Sequence, residues 1–73
     1  MKQFDLELAK AGRPVCTRDG RNVRLICFDA VNNHYPIIGL ISYDGQEKPK
    51  SFTIEGKYIF GEDGFYNDLF MRD

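Results

Sequence analysis

Few side chains in this chain could act on a substrate. There is one histidine, His34, and there are two cysteines, Cys16 and Cys27. Nucleophilic hydrolysis needs a serine or cysteine with a histidine positioned beside it. His34 falls in the polar stretch Ala30-Val31-Asn32-Asn33-His34, whereas the cysteines have Val15, Ile26 and Phe28 as neighbours, the setting of inert core thiols. The pattern predicts a solvated loop histidine and no thiol chemistry. Across a hairpin closed at residues 17–21, Cys16 should face the region of Asn22 or Val23, which leaves Cys27 beyond bridging distance. Both thiols are expected to be reduced, and no clustered His or Cys completes a metal set around them.

Glu62, Asp63 and Asp68 could supply an acid–base pair, but they stand in a glycine-containing stretch where solvent is expected to keep carboxylates ordinary. The acidic-glycine pairs Asp19-Gly20, Asp44-Gly45, Glu55-Gly56 and Asp63-Gly64 lack the alternating register of a calcium loop and read as turns. No glycine-rich phosphate cradle occurs. The expectation is a protein that is not an enzyme, with no cofactor and no metal.

Recognition is what remains. Arg18, Arg21 and Arg24 surround one predicted hairpin, with Arg13 at its base, a set that could track a nucleic-acid backbone. Against that reading, Asp19 interrupts the cluster and the net charge is −1. Residues 1–24 carry six basic and three acidic groups, and residues 25–73 carry four and eight. The aromatic residues crowd toward the end of the chain, where Phe65, Tyr66 and Phe70 are candidates to contact a protein partner or a second copy of the chain. Protein binding is the favoured class and nucleic-acid binding the alternative.

The elements that must position these residues follow from local signals. Asp5 suits a helix N-cap, Glu7 the first turn and Lys10 the last, with Gly12 as the stop, so a helix of about two turns is expected, packed through Phe4 and Leu8. Residues 14–17 read as a strand, residues 18–21 as a hairpin turn with Gly20 at positive φ, and residues 22–29 as a second strand. Residues 35–42 form a third, in which Gly39 marks a bend or bulge. Residues 48–54 form a fourth, placed at an edge by Pro49. Glu55-Gly56 then turns the chain into residues 57–60, putting Tyr58 across from Phe52. The closing residues 65–71 are expected either as a last strand or as one helical turn, in a segment that docks across the barrel opening.

The ordered motifs Phe4-Asp5-Leu6, Ala11-Gly12-Arg13-Pro14-Val15, Thr17-Arg18-Asp19-Gly20-Arg21 and Asp68-Leu69-Phe70-Met71 resemble those of short, uncharacterised proteins of tailed phages, prophages and gut bacteria. The resemblance implies an intracellular, mobile-element setting and transfers no activity to any residue.

At 73 residues, with 42% hydrophobic and 14% aromatic content, the chain should form one folded domain spanning residues 1–73. The expected class is α+β, mainly β: a short amino-terminal helix followed by a strongly bent antiparallel meander of four or five strands, an SH3-like or half-open small barrel. Asp5 and Glu7 stand where a signal peptide needs basic and then apolar residues, and no run approaches a membrane span, so a cytoplasmic protein with no membrane contact is expected.

Overall fold

The computed structural model describes residues 1–31 and 34–72; Asn32 and Asn33, in the polar stretch before His34, lie outside the described residues. The elements in chain order are β1 (Lys2–Gln3), α1 (Leu6–Lys10), β2 (Val15–Thr17), β3 (Asn22–Cys27), β4 (Ile37–Tyr43), β5 (Gln46–Phe52) and β6 (Leu69–Met71). All strands join one antiparallel sheet, ordered β1-β6-β2-β3-β4-β5, which curls into a half-barrel. The expected meander is β2 to β5. The two chain termini add the rest, because β6 returns to lie between β1 and β2.

The end signals of α1 work as their chemistry predicts. Asp5 is extended (φ −127, ψ 111) and its carboxylate accepts from the Leu8 N–H at 3.1 Å. At the other end the Gly12 N–H bonds to the Ala9 carbonyl (3.0 Å) and the Arg13 N–H to that of Leu8 (3.1 Å), with Gly12 at φ +92. This double closure is the Schellman motif. The packed side differs from the expected one. Because the helix starts after Asp5, its inward stripe is Leu6 and Ala9, and Leu8 is 42% exposed. Phe4 precedes the helix and packs from an extended segment.

Two turns share one pattern, Thr17-Arg18-Asp19-Gly20-Arg21 and Thr53-Ile54-Glu55-Gly56-Lys57. In each, the threonine N–H bonds to the carbonyl of the fifth residue and the glycine N–H to the threonine carbonyl, all at 2.9 Å. In each, the threonine hydroxyl accepts from the N–H of the fifth residue at 3.0 Å. Both hydroxyls are buried and do what water would otherwise do for that N–H. The β4–β5 hairpin closes through Asp44 (φ 47) and Gly45 (φ 81), the two positive φ values of a type I′ turn.

Curvature arises where Gly39 predicted it. A Cβ there would stand 3.0 Å from Leu25 Cδ2 and 3.1 Å from Val23 Cγ1, so the missing side chain makes room for the inward residues of β3. Opposite it the register shifts between Leu25 and Cys27. The core beneath consists of Ile37, Ile41, Phe52, Val15, Leu69 and Met71, joined by Ala9 of the helix. Pro49 lies in the edge strand β5, as expected. Cys16 stands opposite Asn22, and both cysteines are free thiols.

One expected strand is not formed. Residues 57–60 do not run back along β5: the pairing stops at Lys57 with Thr53, because the Gly56 carbonyl accepts from the Leu69 N–H (2.8 Å) and the Tyr58 N–H donates to Asp68 Oδ1 (2.9 Å). Phe52 and Tyr58 still meet, with ring centroids 6.4 Å apart, but without a strand pair behind the contact. The closing residues take the strand alternative as β6 and do not dock across the barrel opening: they lie within the sheet, where Phe70 pairs with Cys16 on one side and Gln3 on the other.

Candidate functional site

Beside β6, the turn at residues 53–57 and the amino-terminal segment frame an open cleft of about 620 Å³. Its apolar lining comes from Phe4, Leu6, Ile54, Leu69 and Phe70, and its charged lining from Arg18, Glu55, Lys57 and Asp63. Arg18 organises one wall. Its guanidinium lies over the Phe70 ring, 4.9 Å from the centroid, while Nε donates to the Phe65 carbonyl (3.1 Å) and Nη2 reaches Asp63 Oδ1 and Asp68 Oδ2 at 3.3 Å each. Its backbone N–H is shared between the Tyr66 (3.1 Å) and Asp68 (2.9 Å) carbonyls. The residue at the second position of the β2–β3 turn thus holds the whole 63–68 segment.

Asp68 corrects the expectation of a solvated loop carboxylate. It is 1% exposed. Besides the Tyr58 N–H on Oδ1, its Oδ2 accepts from the N–H groups of Gly64 (3.1 Å) and Phe65 (3.2 Å). Its side chain is a structural hub that gathers three backbone donors and one guanidinium. Asp63 keeps to the surface, 72% exposed, where it accepts from Lys57 Nζ (2.7 Å), the Gly64 N–H (2.8 Å) and Arg18. Glu62 is exposed.

Three carboxylates have pKa values below the usual range, and the causes are local. The Lys57 ammonium, followed by the Gly64 N–H, holds Asp63 down. The Thr17 hydroxyl, with Arg21 behind it, does so for Asp19, and the bidentate Arg24 does so for Glu47. A carboxylate more acidic in the folded chain than in the unfolded one stabilises the fold fully above its unfolded pKa, and that contribution disappears as pH falls through the folded value. The melting temperature is therefore expected to be level above about pH 5 and to fall below about pH 4, less steeply in about 1 M salt. A melting temperature that stays level down to about pH 3 would contradict these pairings.

The arginines of the nucleic-acid alternative are engaged within the chain and do not form one stripe. Arg18 is in the cleft; Arg21 pairs with Asp19 (3.3 Å) and lies over Tyr43, 4.5 Å from its centroid. Arg24 stands on the exposed face of β3 and is bound to Glu47 at 2.8 and 3.0 Å. Arg13 is exposed between α1 and β2. Of the three aromatic candidates, Phe70 lines the cleft, Phe65 is half-buried against Tyr58 with centroids 6.1 Å apart, and Tyr66 is 76% exposed.

Sequence reasoning missed the two apolar residues that stand out most beside the cleft. Ile54 is 56% and Phe60 55% exposed, and Phe60 stacks on His34 at 3.7 Å between centroids. With Pro36 they line a second, shallower cleft of about 360 Å³, which shares Ile54 and Glu55 with the first. A usable signal existed in the repeated turn: Ile54 takes the position that Arg18 takes in the first copy, one that leaves the sheet. His34 is exposed, as expected, with Phe60 for company.

Among the described residues, no group of three or more His, Cys, Asp or Glu side chains is placed to hold a metal ion. No helix among them is long and apolar enough to cross a membrane. Residues 1–69 match the family described as Haemophilus phage HP1 protein YO09. No curated protein matches the chain, and no solved structure does.

Proposed function

The chain belongs to the family of Haemophilus phage HP1 protein YO09, and from that premise we propose that it is a phage-derived interaction module, without catalytic activity, that binds a protein partner. The observation that carries this reading is the position of Ile54, more than half exposed at the junction of the two clefts. Through it an apolar strip runs from Phe70 and Phe4 to Phe60 and Pro36. Exposed apolar surface that is continuous, and rimmed by charge, is the usual mark of a contact face.

The partner meets side chains and not a sheet edge. One edge strand, β1, has two residues, and the other, β5, carries Pro49 between Lys48 and Lys50, which suits it poorly to accept a further strand. We place the module in the host cytoplasm, whose reducing conditions suit the free thiols of Cys16 and Cys27.

The test uses the wild-type chain and an Ile54→Ser, Phe60→Ser variant as baits in lysate of a host carrying a related prophage. Removing two exposed apolar side chains should leave the melting temperature nearly unchanged, and removing two contact residues should weaken partner binding at least about tenfold. A stoichiometric partner kept by the wild type and lost by the variant is the expected result. Equal retention by both, or a wild-type chain that stays monomeric and retains nothing, would reject the proposal.

A further inference from the structure

We propose that the cleft beside β6 receives a partner's peptide segment bearing a carboxylate next to a large apolar side chain, and that Asp63 fills the carboxylate position while the cleft is empty. This rests on the protein-binding reading above and gives the ligand its chemistry.

Asp63 is bound like a ligand. Although 72% exposed, it draws two cationic donors from other elements, Lys57 Nζ at 2.7 Å and Arg18 Nη2 at 3.3 Å, besides the neighbouring Gly64 N–H at 2.8 Å. An exposed carboxylate normally satisfies itself with water. Lys57 and Arg18 line the apolar cleft. Asp63 reaches them from a surface loop that starts at Gly61 (φ +77), and since Gly64 stays tied to Asp68, only the exposed 61–63 stretch has to turn to move Asp63 aside.

The Arg18 side chain and the Lys57 backbone are fixed independently of Asp63. Arg18 is held by Asp68, by the Phe65 carbonyl and by the Phe70 ring, and the Lys57 backbone is held by Thr53 at both its N–H and its carbonyl. When Asp63 leaves, the Arg18 guanidinium stays in place and the Lys57 ammonium stays tethered by its backbone within reach of the same point. The groups facing it supply the complementarity: an incoming carboxylate replaces Asp63 charge for charge, so the exchange itself is nearly neutral. The apolar neighbour of that carboxylate then provides the net affinity by covering Phe4, Leu6, Ile54 and Phe70. A tethered competitor lowers apparent affinity by the fraction of time it occupies the site. Removing Asp63 should therefore tighten binding of an anion, and the gain should be confined to carboxylates.

The experiment is an NMR titration of backbone amides with N-acetylphenylalanine, its uncharged amide and acetate as probes. N-acetylphenylalanine is expected to shift the amides of Gly64, Leu69 and Phe70 in the wild type. It should bind about tenfold more tightly to Asp63→Ala and, with the loop shape better preserved, to Asp63→Asn, an occupancy of about nine-tenths. The uncharged amide should show no gain, and acetate should bind at least tenfold more weakly than the aromatic acid. Lys57→Met in the Asp63→Ala background should abolish the gain. Equal affinity for wild type and both Asp63 variants, an equal gain for the uncharged probe, shifts confined to another face, or dimerisation of the variants in place of ligand binding would overturn the proposal. None of those results would bear on whether the Ile54 and Phe60 surface captures a partner.

Discussion

Replacing Asp68 with alanine is expected to lower the free energy of unfolding by about 3–4 kcal/mol, enough to leave much of the protein unfolded at 37 °C. The side chain is 1% exposed and its two oxygens accept from the N–H groups of Tyr58, Gly64 and Phe65 and from Arg18. Alanine leaves the N–H groups of Tyr58 and Phe65 without that acceptor, whereas the exposed Gly64 keeps its bond to Asp63 Oδ1 (2.8 Å), and an unmet buried donor costs about 1–3 kcal/mol. The Arg18 guanidinium would keep its Phe65 carbonyl bond and its contact with Asp63, so the loss stops short of the full sum. A domain this small buries only about 60% of its unfolded surface and starts near the low end of the usual 5–15 kcal/mol. Asp68→Asn separates geometry from acceptance. With its amide oxygen on the Tyr58 N–H, its amide nitrogen would present donors to the donors of Gly64, Phe65 and Arg18, and the cost should be about 2 kcal/mol. Urea denaturation followed by circular dichroism measures both. A loss below about 1 kcal/mol for the alanine variant would mean that the hub holds nothing in place.

That same residue marks the boundary of what could be read from the chain alone. Signals that act within five or six residues were legible: the Asp5 cap, the Gly12 stop, the Gly20 and Gly45 turns, and the facing of Cys16 and Asn22 all follow from neighbours in sequence. Gly39 and Pro49 were legible too, because a missing side chain or a missing N–H constrains a strand wherever it lies. Asp68 was not. An aspartate between Asn67 and Leu69 looks like turn chemistry, and its burial depends on Arg18, fifty residues away, and on N–H groups that converge only in the folded chain. The failed strand at residues 57–60 has the same origin, since Tyr58, Ile59 and Phe60 have strand propensity but lose their ladder to Asp68 and Leu69. β1 escaped for a different reason: two exposed residues, Lys2 and Gln3, carry no period, and only pairing with Met71 and Phe70 makes them a strand. The candidate site was half legible. Phe70 and Arg18 were singled out in competing roles and turn out to touch, whereas Ile54 reads as the end of the fourth strand and instead lies in the turn after β5, facing outward.

The repeated turn supplies its own control for the second large effect. Gly20 and Gly56 hold equivalent positions at φ +87 and +83, so an alanine at either must adopt the left-handed region, which costs about 1–2 kcal/mol. Around Gly20 a Cβ would meet nothing within 4 Å, whereas at Gly56 it would stand 2.7 Å from Phe4 Cγ and 2.9 Å from Phe4 Cβ. Those are ring and stem atoms of a side chain packed on the core, and the Gly56 carbonyl is tied to Leu69, so neither partner can withdraw freely. Gly20→Ala is expected to cost the backbone penalty alone. Gly56→Ala should add about 1–3 kcal/mol of overpacking to it, for a total near 3–4 kcal/mol. The excess belongs to Phe4, so it should shrink when Phe4→Ala is combined with Gly56→Ala. The double-variant cycle is then expected to show a coupling of about 1–2 kcal/mol between the two positions, with none between Phe4 and Gly20. Equal losses for the two glycine variants would show that the amino-terminal segment does not pack against this turn. The wall that Phe4 gives the cleft would then be missing as well.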